Sequence, residues 1–273
     1  MHWPRKNFLV FLFLILLFLS PSKGLAEKDY SVSARSAIFS NVTTVNRYYG
    51  KNVHARVIPA STTKVMTALL VLENLSLDQE VTVSQRATYP QPSKIHVQPG
   101  ERYRVRDLLY AILMSSANDA SVVLAEAVAG SEEKFVQMMN ARAREIGAKN
   151  TKFANAHGLP TPKQRQYTTA YDMMLIFRTA VQHDFFRQAI HKTYHTISSV
   201  DGRKIDLKSH NKSLFMGWKR KVYGKTGYTR AAKACFVGYI PKGKEICIVA
   251  VFGCSRRWPD IKHIVSRYGG FSL

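Results

Sequence analysis

Acidic charge is what this 273-residue sequence has least of: 18 Asp and Glu stand against 40 Lys and Arg, a formal net charge of +22. Such an excess implies affinity for polyanions. No run of five basic residues occurs, however, so a nucleic-acid-binding arm is not indicated. Cysteine is almost absent. Cys235, Cys247 and Cys254 allow at most one intramolecular bridge, exclude a disulfide-stapled scaffold, and each lie in an apolar stretch, as buried free thiols do. Apolar runs long enough to span a bilayer, roughly 20 residues, are missing too, which excludes a multi-span membrane protein. No H-E-x-x-H pattern exists. His191 and His195 fall where a helix is expected to end and a strand to begin, so neither a metal nor any other cofactor is expected.

With 46% hydrophobic, 11% aromatic and only 21% charged residues, the chain has the composition of a globular protein rather than a disordered one. Its length suits one sizeable or two small domains. Arg5 and Lys6, the apolar run 8–19, and the small residues Gly24 and Ala26 form the layout of a secretory signal peptide over residues 1–26. Twelve apolar residues rise about 18 Å as a helix, short of the roughly 30 Å hydrocarbon core, so a membrane anchor is the lesser reading. Cleavage before Glu27 leaves 37 basic against 18 acidic residues, and the exported protein stays basic. Outside the cytoplasm nucleic acid is scarce, and the polyanions on offer are anionic lipids, wall polymers and lipopolysaccharide.

Short strands are expected over residues 35–40 and 44–49, around Asn41-Val42-Thr43, followed by a helix over 62–74 that is apolar on nearly every face and hence buried. A polar stretch to residue 104, with a turn at Gln98-Pro99-Gly100-Glu101, leads to helices over 105–114 and 120–128 that flank a turn at 115–119. Further helices are expected over 132–146 and 171–180. From Thr193 onward the pattern changes to strands: 193–198, 204–208, 223–228, 234–240 and 246–252, with a closing helix over 261–268. Strands at both ends with helices between predict an α+β fold, one sheet assembled from the two termini with an inserted helical lobe. No internal repeat or low-complexity tract is seen.

Ser61-Thr62-Thr63-Lys64 places a hydroxyl and an amine three residues apart on the first turn of the buried helix. A helix N-terminus favours a developing oxyanion, and a lysine becomes a base only when burial or another cation lowers its pKa. The S-x-x-K pattern also occurs at Ser20, Ser131 and Ser209, but only Ser61 opens a buried helix. Ser116-Ala117-Asn118 offers a hydroxyl and a carboxamide in a tight turn, suited to relaying a proton and bonding a peptide amide; alone, it would read as a helix cap. Lys225-Thr226-Gly227 lies on an expected strand, where Gly permits close approach and Lys and Thr supply a charge and a hydroxyl for a carboxylate. The three elements together, in this order, are a known signature of penicillin-reactive serine enzymes.

On these motifs, and on Met139-Asn140, residues 155–159, residues 167–172 and Tyr228-Thr229, the chain resembles the low-molecular-mass penicillin-binding proteins, the serine D-alanyl-D-alanine carboxypeptidases. The resemblance implies a penicillin-binding and β-lactamase-like fold with peptidoglycan stem peptides as substrate and β-lactams as inhibitors. It implies Ser61 as nucleophile and Lys64, beside cationic Lys225, as its base. Ser116 would pass a proton to the departing D-Ala and Asn118 would hold the peptide backbone. The backbone N–H groups of Ser61 and Tyr228 would form the oxyanion hole, and Lys225, Thr226 and Gly227 would line the carboxylate site. An arginine after the last strand, Arg257 or Arg256, would join them.

Two departures from the family pattern shape the expectation. The sequence stops at Leu273 without the second, β-rich domain and amphipathic anchor of many members, so residues 27–273 are expected to form a single catalytic domain. That raises a D,D-endopeptidase acting on crosslinks as the alternative, with a non-catalytic penicillin-sensing or wall-binding module as a third. Arg230-Ala231-Ala232-Lys233 is unusually basic and suits acidic wall substrates. No E-x-x-L-N-like loop of class A β-lactamases is found, so a penicillin adduct on Ser61 is expected to be long-lived.

Overall fold

The chain opens with a hairpin, β1 (Ser36–Asn41) paired antiparallel with β2 (Asn46–Lys51). The second strand starts later than the sequence pattern predicts because Asn41 Oδ1 accepts from the backbone N–H groups of Thr43 and Thr44, which prolongs the turn. These observations come from a computed structural model that describes residues 30–162 and 164–273; the signal peptide expected at 1–26 lies outside the described residues. Residues 32–273 form the unit described here.

A 3-10 turn, Ala60–Thr63, feeds α1 (Lys64–Asn74). Eight of the helix's residues, Lys64 through Val71, are buried, as its all-round apolar pattern predicts. The polar stretch that follows contains elements its composition hid: β3 (Glu80–Thr82) pairs with β4 (Arg102–Arg104) across the expected turn at 98–101. Strands of three residues with one buried position each carry too short a pattern to read. Next come α2 (Val105–Tyr110), widening into a π-turn over Ala111–Ser115, then α3 (Asn118–Ala129) and α4 (Glu132–Glu145). α5 (Ala170–Ala180) and α6 (Asp184–His191) complete the helical part, against which α1 packs through α3, α4 and α5.

β5 (Tyr194–Ser198) and β6 (Lys204–Lys208) form a separate hairpin instead of joining the main sheet. Their burial alternates, with Ile197 and Leu207 the only fully buried positions, so the ribbon has one face to cover and lays it on α2 and the π-turn. β7 (Tyr223–Thr229), β8 (Lys233–Lys242) and β9 (Glu245–Cys254) complete an antiparallel sheet in the order β2-β1-β9-β8-β7, and α7 (Arg257–Gly269) follows. The sheet is therefore built from both chain ends, as the sequence pattern predicts.

Continuous burial along β1 and the centres of β8 and β9 means that both faces are covered. Neighbouring register positions point to opposite faces: the Phe39 ring meets Phe271, just beyond α7, whereas Tyr239, one position out of step with it, meets Phe177 of α5. All three cysteines are free and buried in β8 and β9, and burial pushes the Cys235 and Cys247 thiols up to about 11. His191 stacks on Tyr223, and His195 meets Tyr110 at a tilt, so the two histidines serve separate aromatic contacts. Among the described residues no helix is long and apolar enough to cross a membrane.

Asp119, buried at the start of α3, ties the loop before β4 to the helical lobe. Its carboxylate accepts from the N–H groups of Ile95 at 3.1 and 3.2 Å and Val97 at 3.3 Å. Asp119→Ala leaves those N–H groups buried and unpaired, so we expect a loss of about 2–4 kcal/mol in urea unfolding. Faster amide exchange at Ile95 and Val97, with no change in β1, is the accompanying signature.

Candidate active site

Ser61 stands half-buried on the 3-10 turn ahead of α1, and Ala60 before it holds φ at +47°, a left-handed conformation that costs a non-glycine residue energy. Two glycines clamp that turn. At Gly158, itself at φ +87°, a Cβ would fall 2.0 Å from the Ala60 carbonyl oxygen. At Gly227 of β7 it would fall 3.0 Å from the Ser61 nitrogen. Helix start, loop and sheet edge thus meet at the serine because two side chains are missing.

Lys64, one turn along, is wholly buried. Its Nζ donates to Asn118 Oδ1 at 2.6 Å and to the His157 carbonyl at 2.8 Å, and lies 3.3 Å from Ser61 Oγ. A neutral amine has two N–H bonds and one lone pair. In the neutral form the two shorter contacts would take the N–H groups and leave the lone pair toward the serine hydroxyl. Burial first, and the charge of Lys225 second, hold Lys64 well below the ordinary lysine range, against the opposing pull of Asp119.

Ser116 follows the π-turn in a left-handed conformation, φ 62° and ψ 30°, which leaves a connection of two residues, Ser116 and Ala117, where the sequence pattern predicts five. The wider turn absorbs Ser115 into the helix, and α3 starts already at Asn118. Lys225 Nζ donates to Ser116 Oγ at 3.0 Å and to the Thr226 carbonyl at 2.9 Å. Burial and then Arg257 bring Lys225 down to about 7. Asn118 is fixed from the far side: its Nδ2 donates to the Gln91 carbonyl at 2.6 Å, and its backbone N–H to that of Ser93 at 2.8 Å.

Ser61, Lys64 and Asn118 thereby form one hydrogen-bonded group and Ser116 and Lys225 a second, the two coupled through the charge of Lys225 acting on Lys64, with Thr226 and Gly227 beside Lys225 on β7. Tyr228 is 66% exposed at the end of that row. Arg257 reaches the cluster through backbone: its Nη1 donates to the carbonyls of Gly227 at 3.1 Å and Cys235 at 3.0 Å, and its guanidinium lies over Trp258. Arg256 is exposed at the start of α7, its backbone N–H on Ser33 Oγ. Ser209-x-Asn211, the second S-x-N pattern, is a turn: Asn211 Oδ1 accepts from the Ser213 N–H, and Nδ2 donates to the Val222 carbonyl just before β7.

Two further contributors, His157 and Asn155, are given no role by the sequence pattern. His157 supplies a carbonyl to Lys64, while its ring is neutral, pushed down to about 3 by burial and then by Lys64; Nδ1 accepts from the Leu159 N–H at 3.2 Å. Asn155 Oδ1 accepts from the N–H groups of His157 and Gly158 and so shapes that loop. Residues 155–159 carry part of the family resemblance, but nothing in their pattern assigns them a place at the site.

The sequence pattern of the D-alanyl-D-alanine carboxypeptidase family matches residues 23–256. The chain belongs to this family. Among relatives, D-alanyl-D-alanine carboxypeptidase DacF of Bacillus subtilis is 34% identical over 89% of this chain and 64% of its own length, so the chain spans a little under two thirds of that relative. A crystal structure of a D-alanyl-D-alanine carboxypeptidase from Mycobacterium tuberculosis matches with TM-score 0.81 and 29% identity, covering 88% of this chain and 92% of the other. A point mutant of a Streptomyces DD-transpeptidase matches with TM-score 0.81 and 26% identity over 89% and 100%. Its fold is therefore that of the penicillin-binding D,D-peptidases.

The glycine clamp yields a contrast. Gly158→Ala meets both the positive φ and the Ala60 carbonyl, and we expect it to lower unfolding free energy by about 3 kcal/mol or more. Gly100→Ala, at φ +85° in open space, should cost only about 1–2 kcal/mol. Equal losses in parallel urea melts would contradict the clamp.

Proposed function

We propose that this protein is a serine D-alanyl-D-alanine carboxypeptidase that removes the terminal D-Ala of peptidoglycan stem peptides through an acyl-enzyme on Ser61. The observation that carries the reading is the Lys64 amine, buried, with two short hydrogen bonds to fixed acceptors and the Ser61 hydroxyl at 3.3 Å as its remaining neighbour.

In this mechanism Ser61 Oγ attacks the carbonyl carbon of the penultimate D-Ala and its proton passes to Lys64. The oxyanion is held by the N–H groups of Ser61 and Tyr228. As the C–N bond breaks, the proton held by Lys64 passes by way of the Ser116 hydroxyl, which bonds Lys225, to the departing amine, and Lys64 is neutral again. Water then attacks the ester with Lys64 again as base, and Lys64 returns that proton to Ser61 Oγ as the Oγ–C bond breaks and the shortened peptide leaves. Lys225 and Thr226 hold the substrate's terminal carboxylate, with Arg257 adding positive charge behind Gly227. Asn118 both orients Lys64 and bonds the peptide backbone. β7 is an edge strand of the sheet, so an extended peptide can add alongside it. A β-lactam enters the same path and leaves Ser61 acylated.

Residues 27–273 act in this reading as one catalytic domain after removal of the signal segment 1–26. The protein works outside the cytoplasm, where its net positive charge draws it to anionic wall polymers or the membrane surface.

Mass spectrometry of residues 27–273 with benzylpenicillin should give a single adduct that Ser61→Ala abolishes. D-Ala release from a peptide ending in D-Ala-D-Ala should fall at least about a thousandfold in Ser61→Ala and in Lys64→Ala. An adduct without D-Ala release would transfer the reading to crosslink endopeptidase or sensor, and no adduct would remove Ser61 as nucleophile.

The two depressed lysines set the pH profile. The second-order acylation constant rises with pH as Lys64 loses its proton, and falls again as Lys225 loses its own near 7. Lys225→Met removes the falling limb and moves the rising limb to higher pH, because Lys64 then lacks the neighbouring cation. A rising limb that stays in place would show that the two amines are not coupled.

A further inference from the structure

One buried carboxylate stands behind the catalytic lysine without touching it. Glu132 is the first residue of α4, set in place by the helix cap, in which the Ser131 hydroxyl accepts from the Lys134 N–H at 3.3 Å. The S-x-x-K pattern at Ser131 is therefore a cap. The Glu132 side chain is only 15% exposed. Burial raises its carboxyl above the usual range, against the Ala156 N–H and Arg86, with Glu133 and Glu126 adding to the rise. Among the described residues this carboxylate has a single hydrogen bond, accepted by Oε1 from the Ala156 N–H at 3.0 Å. His157 is no ion partner. Its Nδ1 accepts from the Leu159 N–H, so the neutral ring carries its hydrogen on Nε2, and Nε2 lies 3.8 Å from Oε1, beyond hydrogen-bond reach.

What that single bond holds is the residue next to the acceptor of Lys64. Ala156 is pinned on both sides: Glu132 of α4 takes its N–H, and the buried Thr67, one turn beyond Lys64 on α1, donates Oγ1 to its carbonyl at 2.6 Å. The next carbonyl along the chain, that of His157, accepts from Lys64 Nζ at 2.8 Å. Asn155 shapes the same turn from within, through the N–H groups of His157 and Gly158 and the Leu159 carbonyl, but those bonds do not tie it to a helix. The pin at Ala156 does. It fixes the loop between the helix that carries the amine and the helix that carries Glu132.

We propose that Glu132 is a positioning residue for acylation: through the Ala156 N–H it holds the His157 carbonyl where Lys64 needs an acceptor, and so keeps the neutral amine's lone pair directed at Ser61. The proposal rests on the reading of Lys64 as the base and names a group, outside the motifs, on which that base depends. The charges acting on Lys64 are those of Lys225 and Asp119. Glu132 acts on it through the backbone, as a hydrogen-bond acceptor, and its effect is one of geometry.

The test follows acylation by a fluorescent penicillin across pH in the native protein, Glu132→Ala, Glu132→Gln and Thr67→Val. Each rate is expressed per penicillin-reactive site, so that partly unfolded protein does not enter it. Glu132→Ala should lower the second-order constant roughly tenfold, because the carbonyl that places the base is released. Its rising limb should move to lower pH: an ammonium gains more from a carbonyl acceptor than an amine does, so loss of the acceptor lowers the Lys64 midpoint further. Glu132→Gln keeps an oxygen for the Ala156 N–H and should stay within about threefold of the native rate, with the limb in place. Thr67→Val releases Ala156 from the α1 side and should reproduce the fall and the shift of Glu132→Ala. A native rate per site in Glu132→Ala, an equal fall in Glu132→Gln, a native profile in Thr67→Val, or a fall whose rising limb does not move overturns the inference. A native protein that takes up no penicillin would instead overturn the reading of Ser61 and Lys64.

Discussion

Two buried lysine amines, those of Lys64 and Lys225, lie close enough to repel one another, and among the described residues neither is bonded to a carboxylate. Burying an ammonium is costly and burying two in one cluster more so, because each raises the energy of the other's charge. Burial and the neighbouring cation hold the inner amine well below the ordinary lysine range, as a base requires, and burial with Arg257 brings the outer one down to about 7. Much of the surrounding architecture supplies neutral acceptors that hold both amines in place without restoring the charge. These are the His157 and Thr226 carbonyls, the Asn118 carboxamide and the Ser116 hydroxyl.

Such acceptors must come from different parts of the chain, and the fold brings them together at one seam. α1 starts there and delivers Ser61 and Lys64. The junction of the π-turn with α3 delivers Ser116 and Asn118, and the edge strand β7 delivers Lys225 to Gly227. The seam can close tightly only because Gly158 and Gly227 present no side chain to the Ser61 turn. The strain at Ala60 and Ser116 sits at the two hydroxyl-bearing turns, where a rigid lobe on one side and a covered sheet on the other can hold it.

Much of this was legible in the sequence where periodicity or residue type carries the information. The all-round apolar pattern of α1, the strand runs of β7 to β9 and the S-x-x-K, S-x-N and K-T-G elements all announce themselves. What stayed hidden acts below that level. β3 and β4 are too short to show a period, and the π-turn that sets the Ser116 conformation looks in sequence like ordinary helix. Gln91, Ser93 and His157 contribute backbone carbonyls, which every residue carries and no residue type announces. The β5–β6 ribbon reads as sheet yet stands apart, because only spatial packing shows which strand edges meet.

The central claim is that Lys64 is neutral beside Ser61 because of burial and Lys225. It is tested most directly by following the side-chain Cε and Nζ resonances of Lys64 by NMR through a pH titration of the Ser61→Ala protein, in which no acyl-enzyme can form. The account predicts a midpoint well below the ordinary lysine range that moves upward in Lys225→Met. A midpoint in the ordinary range, or one indifferent to Lys225, would contradict it.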